Sequence, residues 1–187
     1  MTKAYKVFPA SRAGHLDGWL RQLLFHPDRL VGQFIQQGDT VLDIGCGSGL
    51  FTRAIARKVG DSGNVIAADI QEEMLKLLEK KARDEGLNRR IRLHKAEPDS
   101  LGLAEPGCIN AAFAFYVVHE VPDSKRLMQE VFSLLVPGGT FLIVEPKCIV
   151  SRADFRKTID TAVSAGFRIA SSRSVFLSHA VLLKKQG

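Results

Sequence analysis

The stretch Leu42-Asp43-Ile44-Gly45-Cys46-Gly47-Ser48-Gly49 decides the fold of this 187-residue chain. A β-type run, Thr40–Ile44, leads into it, and a helical stripe of apolar residues over 51–59 follows it. Glycines between a strand and a helix allow positive φ angles and let backbone N–H groups approach a ligand closely. We therefore expect a ligand-binding loop at the carboxyl end of the first parallel strand.

The spacing of this loop narrows the choice of ligand. The chain has G-x-G-x-G rather than the dinucleotide pattern G-x-G-x-x-G, and no Gly-Lys-Ser/Thr follows, so the P-loop pattern also fails. Asp43, two residues before the first glycine, would repel a pyrophosphate and favour a cationic ligand. Asp69 lies twenty residues after Gly49, at the end of a second strand, where an acid can accept both hydroxyls of a ribose. Together they predict a nucleoside site.

Strand and helix patterns alternate along the whole chain. Helical patterns are predicted over 16–24, from Pro27 to Gly38, and over 51–59, 74–82, 127–135 and 155–163; strands are predicted over 40–44, 64–68, 91–94, 109–116, 140–144, 167–172 and 175–183. The turn Pro137-Gly138-Gly139 is expected to stop a helix before the fifth strand. Five strands alternating with helices and then a hairpin predict a doubly wound α/β sheet, mostly parallel with an antiparallel last strand, and helices on both faces.

Composition places this fold in a soluble, reducing setting. Apolar residues make up 45% of the chain, and no apolar run approaches the roughly 18 residues of a membrane helix. The opening MTKAYKVFPASRAGH has no signal-peptide pattern, and Cys46, Cys108 and Cys148 have no disulfide or zinc spacing, so we expect a cytoplasmic protein. The net charge of +6 lies in residues 146–187, where a basic face could attract phosphates or simply be solvated.

Three motifs carry a family resemblance over about residues 36–145. The run from Asp43 to Gly49, Ala68-Asp69-Ile70 with Met74, and Leu135-Val-Pro-Gly-Gly-Thr140 resemble the class I S-adenosylmethionine-dependent methyltransferases. Glu72-Glu73-Met74-Leu75 and Val118-His119-Glu120-Val121-Pro122-Asp123 look like the small-molecule type, such as the quinone-biosynthesis and arsenite methyltransferases. The resemblance implies a Rossmann-like seven-stranded sheet in one domain, residues 1–187, with a helical segment over 1–36 covering the active site and a cofactor-binding core over 37–187.

The resemblance also implies cofactor-binding roles. Asp43, Gly45, Cys46, Gly47 and Gly49 would surround the methionine part of S-adenosyl-L-methionine, Asp69 would bind the ribose, Ile70 and Met74 would pack near the adenine, Ala96 and Glu97 would lie at its edge, and Tyr116 would line the floor under the sulfonium. The match is weaker after the third strand, where Lys95-Ala96 stands in place of the family's Asp-Ala. Either Glu97 binds the adenine amine, or the backbone does so alone.

Candidate catalytic groups lie at the ends of the fourth and fifth strands. Tyr116, His119 and Glu145 are expected to face the same crevice as the glycine loop, and His119 is the best general base because its usual pKa lies near neutrality. The alternative roles are structural: His119 and Glu120 would fix the loop before Asp123, Glu145 would be a loop or helix-end partner, and Tyr116 would be a core residue. Methyl transfer depends mainly on alignment, so the absence of a catalytic triad does not argue against an enzyme.

Other functions are less favoured by the residues. Nucleic-acid methylation would typically show Asn/Asp-Pro-Pro-Tyr/Phe where this chain has Tyr116-Val-Val-His119, although the basic tail keeps RNA open. An NAD-dependent oxidoreductase of the short-chain type would need Tyr-x-x-x-Lys, which is absent, and a binding module without catalysis remains open. An arsenite enzyme would need converging thiolates, which Cys108 at the far end of its strand cannot join. We expect a small, partly apolar methyl acceptor and no metal. No sequence pattern indicates an oligomeric state.

Overall fold

The computed structural model describes residues 26–172 and 175–187. The helices in these residues are α1 (Pro27–Val31), α2 (Leu50–Val59), α3 (Glu72–Asp84), α4 (Ser124–Leu134) and α5 (Arg152–Ser164), with short 3₁₀ helices at Asn88–Arg90 and Val118–Glu120. The strands are β1 (Thr40–Ile44), β2 (Asn64–Asp69), β3 (Ile91–Lys95), β4 (Ile109–Phe115), β5 (Leu135–Pro146), β6 (Phe167–Ser172) and β7 (Ser178–Lys185). None of these helices has the length and apolarity needed to cross a bilayer.

The seven strands form one sheet in the order β3-β2-β1-β4-β5-β7-β6. β1 pairs in parallel with both β2 and β4, and β7 runs antiparallel between β5 and β6. This arrangement confirms the predicted doubly wound sheet with its antiparallel last strand. The chain reverses its direction of winding between β1 and β4, and in such sheets ligands bind at the carboxyl ends of the strands beside this switch point.

Apolar side chains cover both faces of the sheet. On one face, Val41, Phe113 and Leu142 pack beneath α2 and α3; on the other, Leu42 and Phe141 pack beneath α4 and α5. Neighbouring residues of β1 therefore belong to opposite cores, as the two-residue period of a strand requires. Burial on both faces explains why the central strands read as continuous apolar runs.

The first described helix is shorter than predicted. The apolar pattern indicated a helix from Pro27 to Gly38, whereas α1 ends at Val31. Gly32 follows at once, and glycine is a poor helix former because it loses the most backbone freedom. Phe34 then donates its amide to the Val31 carbonyl in a turn, and its side chain still packs against the core. The helix predicted over 16–24 lies outside the described residues.

The Pro137-Gly138-Gly139 turn also differs from the prediction. α4 already ends at Leu134, and β5 begins at Leu135, which pairs with Ile109 of β4. The register then shifts, so that Ala111 pairs with Thr140, and the intervening residues bulge out of the sheet. Pairing with β4 therefore extends β5 on both sides of the turn. β7 likewise runs over Ser178–Lys185 rather than 175–183.

Candidate cofactor and acceptor site

The glycine loop leaves β1 and enters α2 in a conformation that only glycine adopts freely. Gly45, Gly47 and Gly49 have φ angles of +65°, +52° and +88°. The amides of Gly45 and Cys46 both donate to the carbonyl of Ala68, at 2.8 and 3.1 Å. The loop is thereby held against the carboxyl end of β2, where Asp69 follows.

Each glycine of the loop serves a different contact. A Cβ atom on Gly45 would lie 2.5 Å from Val117 Cγ2, and one on Gly49 would lie 2.1 Å from Leu78 Cδ1. A Cβ atom on Gly47 would meet nothing within 4 Å. Gly45 and Gly49 are therefore required by packing as well as by conformation, whereas Gly47 leaves open space. Gly49 packs against α3 and does not line the cavity described below.

A cavity of about 340 Å³ opens beside this loop, over the carboxyl ends of β1, β2 and β4. Eleven of the residues singled out from the sequence line it: Asp43, Gly45, Cys46, Gly47, Asp69, Ile70, Met74, Ala96, Glu97, Tyr116 and His119. Of the remaining two, Gly49 and Glu145, neither is part of the lining. The fold thus forms the predicted crevice from four separate parts of the chain.

Asp69 links the second strand to the glycine loop. Its Oδ2 accepts a hydrogen bond from the Gly47 amide at 2.8 Å, and its Oδ1 accepts one from the Gln71 amide, also at 2.8 Å. Burial raises the pKa of this carboxyl, and the two backbone hydrogen bonds oppose that rise. A carboxylate has about four acceptor positions, so Asp69 can still accept hydrogen bonds from the hydroxyls of a ligand.

Asp43 is a second, more deeply buried carboxyl in the same cavity. The Thr52 hydroxyl donates to its Oδ2 at 2.6 Å, and only 2% of the residue is exposed. Burial raises the pKa of Asp43 from its usual 3.8 to about 7, the Thr52 hydrogen bond lowers it, and the nearby Asp69 raises it further. Among the described residues that line the cavity there is no lysine or arginine, so this end of the site favours a cation.

Two small polar side chains of the loop also face this region. Ser48 is 2% exposed and lines the cavity, and its hydroxyl has no hydrogen-bond partner among the described residues. The Cys46 thiol donates to the Gly47 carbonyl at 3.6 Å, and burial together with the two carboxyls raises its pKa. Cys46 is therefore a neutral thiol. An unpartnered buried hydroxyl calls for a ligand or water to satisfy it. The family resemblance implied a role for the backbone of the loop from Gly45 to Gly49 but none for the Ser48 side chain.

The loop after β3 closes the side of the cavity near Asp69. The Ala96 amide donates to the Asp69 carbonyl at 3.1 Å, and Glu97 and Ser100 form an isolated antiparallel bridge. Glu130 of α4 accepts from the Ser100 hydroxyl at 2.8 Å and from the Leu101 amide at 2.7 Å. Glu130 was not predicted, because its contact with this loop spans about thirty residues and leaves no local pattern.

His119 and Glu145 form a hydrogen-bonded pair at the opposite side of the cavity. His119 Nδ1 contacts Glu145 Oε2, and the Val118 amide donates to Glu145 Oε1 at 2.8 Å. Glu145 is 1% exposed, whereas 20% of the His119 side chain is exposed. The hydrogen bond to Glu145 raises the pKa of His119, against the effect of burial. His119 lines the cavity, while Glu145 lies behind it and holds both the ring and the 3₁₀ turn.

Tyr116 occupies a strained position directly after β4. Its φ angle is +61°, a region that non-glycine residues adopt at a cost of roughly 1–2 kcal/mol. Its amide donates to the Val144 carbonyl at 2.8 Å, and its hydroxyl lies 2.7 Å from Ser178 Oγ. Because the Ser178 hydroxyl donates to the Phe176 carbonyl, the Tyr116 hydroxyl donates to Ser178. Tyr116 is thus held at the edge of the cavity, by β5 through its amide and by β7 through its hydroxyl.

The cysteines do not converge. Cys46 is buried after β1, Cys108 precedes β4, and Cys148 is exposed after β5; all three thiols are free. Within the described residues no group of His, Cys, Asp or Glu side chains could hold a metal ion. Cys108 therefore lies at the amino end of its strand, as the sequence predicted.

Comparison with known sequences points to one family. Residues 35–173 match the family model described as a methyltransferase domain. A demethylmenaquinone methyltransferase of Lactobacillus johnsonii is 34% identical over 111 residues, which are 59% of this chain and 45% of that protein. The ubiquinone/menaquinone biosynthesis C-methyltransferase UbiE of Legionella pneumophila is 35% identical over 113 residues, 59% of this chain and 44% of that protein. The matched region thus spans less than half the length of these relatives.

Solved structures share the fold. A SAM-dependent methyltransferase from Aquifex aeolicus superposes with a TM-score of 0.85 at 24% identity, over 95% of this chain and 99% of that one. The [4+2]-cyclase SpnF superposes with a TM-score of 0.73 at 17% identity, over 86% and 81% of the two chains. At these identities the likeness establishes the architecture, including the sheet order that forms the crevice.

Proposed function

This chain belongs to the class I S-adenosylmethionine-dependent methyltransferase family, as its glycine loop predicted, and from that premise we propose that it transfers a methyl group to a small, partly apolar acceptor. The observation that carries the proposal is the meeting of Gly47, Asp69 and Asp43 in one cavity at the switch point of the sheet. The chain matches less than half the length of its quinone-methylating relatives, so their acceptors are not carried over to it.

The residues present fit S-adenosylmethionine. Two buried carboxyls without a cationic side chain beside them in the lining suit a ligand that carries an amine and a sulfonium. Asp69 would hold the ribose hydroxyls. Gly47 leaves the space for close approach, and the unpartnered Ser48 hydroxyl is available to the amino-acid part. Ile70, Met74 and Ala96 offer apolar surface for the adenine, with Glu97 at its edge.

When bound, the cofactor supplies the electrophilic methyl group and its leaving group. The chain supplies alignment and a dry cavity, which can contribute roughly 7–11 kcal/mol to the rate of a well-oriented displacement. We propose that His119 accepts the acceptor's proton at Nε2, since its Nδ1 contacts Glu145. Glu145 acts as a positioning residue because it does not reach the cavity. Tyr116, whose hydroxyl donates to Ser178, shapes the floor of the cavity and takes no part in proton transfer.

Apolar surface in the cavity supports the choice of acceptor. The lining includes Phe115, Val117, Val121, Leu127 and Ile149. Apolar walls with a few convergent polar groups are typical of small-molecule sites. The three free thiols, one of them exposed, further support our proposal that the enzyme works in the reducing cytoplasm.

Calorimetry with S-adenosylhomocysteine tests the cofactor site. We expect wild-type protein to bind it and not NAD. Asp69→Asn should weaken binding roughly 10- to 100-fold, the range expected for a lost hydrogen bond to a charged group. The matched control is Asp84→Asn, an exposed carboxyl of α3 away from the cavity. Unchanged affinity in Asp69→Asn, with the fold intact by circular dichroism, would show that the ribose assignment is wrong.

Label transfer tests the acceptor class. Protein supplied with methyl-labelled cofactor should label low-molecular-weight, partly apolar compounds of a metabolite extract. Label recovered instead in RNA, with binding that weakens steeply as salt rises, would contradict the small-molecule proposal.

A further inference from the structure

Three large apolar side chains protrude together beside the mouth of the cavity. Ile149, in the turn after β5, is 65% exposed, and Phe176 and Leu177, at the tip of the β6–β7 hairpin, are 56% and 67% exposed. The Lys147 amide donates to the Leu177 carbonyl at 3.0 Å, which holds the two turns side by side. We name this set of three residues the apolar tip. Ile149 also lines the cavity, so the tip continues into the site.

The hairpin conformation keeps these side chains pointing outward at a cost. Leu177 has a φ angle of +49°, a region that β-carbon-bearing residues adopt unfavourably. Because Leu177 is mostly exposed, burial against the described residues does little to offset this conformational cost. The other strongly exposed apolar residues, such as Val163 on α5 and Ile169 on β6, belong to separate elements. Within residues 26–172 and 175–187, the tip is therefore where exposed apolar side chains lie together.

Two basic side chains flank the tip along the chain. Lys147 and Arg152 are exposed next to it, and the residues 146–153 and 175–179 contain no acidic side chain. Asp154, the next acid along the chain, is already bound by the Ser151 hydroxyl and by Lys157 Nζ, each within 2.8 Å. Exposed apolar side chains flanked by lysine and arginine are the combination that anchors proteins to the surface of an anionic bilayer.

From this arrangement we propose that the apolar tip docks the enzyme on a membrane surface that contains anionic lipids. Three side chains expose roughly 500 Å² at most, which is less than the ~800 Å² per partner of a standard protein interface. Their placement on two protruding turns suits shallow insertion rather than a flat contact. The purpose of docking rests on the proposed function: an apolar acceptor dissolved in the bilayer would reach the cavity past Ile149 without crossing water.

Sedimentation with lipid vesicles tests this docking without cofactor or turnover. The full chain is mixed with vesicles of phosphatidylcholine, or of phosphatidylcholine and phosphatidylglycerol in equal amounts. We expect it to pellet with the mixed vesicles, more weakly with phosphatidylcholine alone, and less as sodium chloride is added. Failure to pellet with the mixed vesicles overturns the proposal.

Two double variants separate the apolar and charged contributions. Phe176→Ser with Leu177→Asn should weaken vesicle binding at least about tenfold; asparagine tolerates the positive φ at this position. Lys147→Gln with Arg152→Gln should weaken it about thirtyfold, at the usual contribution of each cation near an anionic surface. Val163→Ser, at an exposed position on α5, is the matched control and should bind like wild type.

Two further outcomes would overturn the docking proposal. Equal binding by the Phe176→Ser/Leu177→Asn variant and by wild type overturns the proposal. The proposal is also overturned if the wild type forms a dimer in sedimentation equilibrium, the double variant does not, and vesicles leave the dimer unaffected. The apolar tip would then bind a second copy of the chain. All variants should bind S-adenosylhomocysteine like wild type, because none of the changed residues lines the cavity. Wild-type protein that docks on vesicles but does not bind S-adenosylhomocysteine would contradict only the proposed function.

Discussion

At the scale of single residues, the site is governed by how burial acts on a few titratable side chains. Asp43 and Asp69 lie in the same crevice. Asp69 raises the cost of ionising Asp43, and both carboxyls raise the cost of ionising the neighbouring Cys46 thiol. The cavity is thus prepared for a cation before one arrives. At His119 the charged form is favoured instead, because the carboxylate of Glu145 raises the pKa of the imidazole.

Asp43 predicts proton release when the cofactor binds. With a pKa of about 7, this carboxyl is partly protonated at neutral pH, and a cationic ligand beside it would favour its ionised form. We expect binding of S-adenosylmethionine at pH 7 to release a fraction of a proton, seen as a binding heat that differs between phosphate and Tris buffers. Asp43→Asn should remove that difference. Equal heats for the wild type in the two buffers would contradict the prediction.

The same group predicts a slope in stability. The folded pKa of Asp43 lies above its unfolded value of 3.8, so between about pH 4 and pH 7 the folded state binds more protons than the unfolded state. The contribution of Asp43 to stability therefore falls as the pH rises through this window. Urea unfolding at a series of pH values should show a shallower fall for Asp43→Asn than for wild type. An identical slope in the two proteins would show that Asp43 titrates normally.

Glu145 predicts the pH dependence of turnover. If neutral His119 is the base, the rate rises with pH, and because Glu145 raises the pKa of His119 the midpoint lies above the usual 6.5. Glu145→Gln should move the midpoint to lower pH and reduce turnover on the order of tenfold, as the ring loses its charged anchor. Glu120→Gln is the control, since Glu120 Oε1 lies 3.9 Å from His119 Nε2 and should shift the midpoint less. A purely structural Glu145 would leave the midpoint in place.

At the scale of elements, the glycine loop shows how one motif serves several purposes. Gly45 allows Val117, in the segment after β4, to approach the loop, Gly49 allows α3 to do so, and Gly47 keeps the cavity open. The strand and helix on either side are local consequences of the apolar pattern. The loop's exact path depends on the hydrogen bonds from Gly45, Cys46 and Gly47 to the end of β2.

A matched pair of glycines separates strain from binding. Gly47 and Gly86 have φ angles of +52° and +69°, and an added Cβ atom would meet nothing within 4 Å at either position. Gly47→Ala and Gly86→Ala should each destabilise the fold by about 1–2 kcal/mol, measured by urea unfolding. Of these two glycines, Gly47 lines the cavity, so its alanine variant should also lose affinity for S-adenosylhomocysteine. Equal affinities in the two variants would mean that the ligand does not approach Gly47.

At the scale of the whole molecule, the cofactor site joins β1, β2 and β4 with the loops that follow them. A ligand that binds only the folded state stabilises all of these elements together. At a concentration one hundred times its Kd, S-adenosylhomocysteine should add about 2.7 kcal/mol to the free energy of unfolding and raise Tm by roughly 5–10 °C. NAD at the same concentration should produce no shift in differential scanning fluorimetry. A shift with NAD alone would mean that the crevice selects a different nucleotide.

Much of this molecule could be predicted from local sequence. Strand β1 matches its predicted bounds, and Asp69, Ile70 and Met74 line the same cavity as the glycine loop, because strand period, glycine conformation and the order of a doubly wound sheet are all readable along the chain. The early end of α1 and the bulge in β5 were not predicted. Gly32, inside the apolar pattern, ends α1 early, and pairing with β4 produces the bulge in β5. Only the bulge depends on a residue distant in sequence.

The sequence by itself therefore determined the fold class, the family and the position of the crevice, since these follow from short-range patterns and one glycine motif. Tertiary structure decided which side chains reach the crevice. Glu145 was predicted to face it and instead lies behind His119, and Glu130 was not predicted yet holds the loop after β3. These contacts join residues 26 to 30 positions apart, and their geometry depends on strand register and helix packing, which no local pattern encodes.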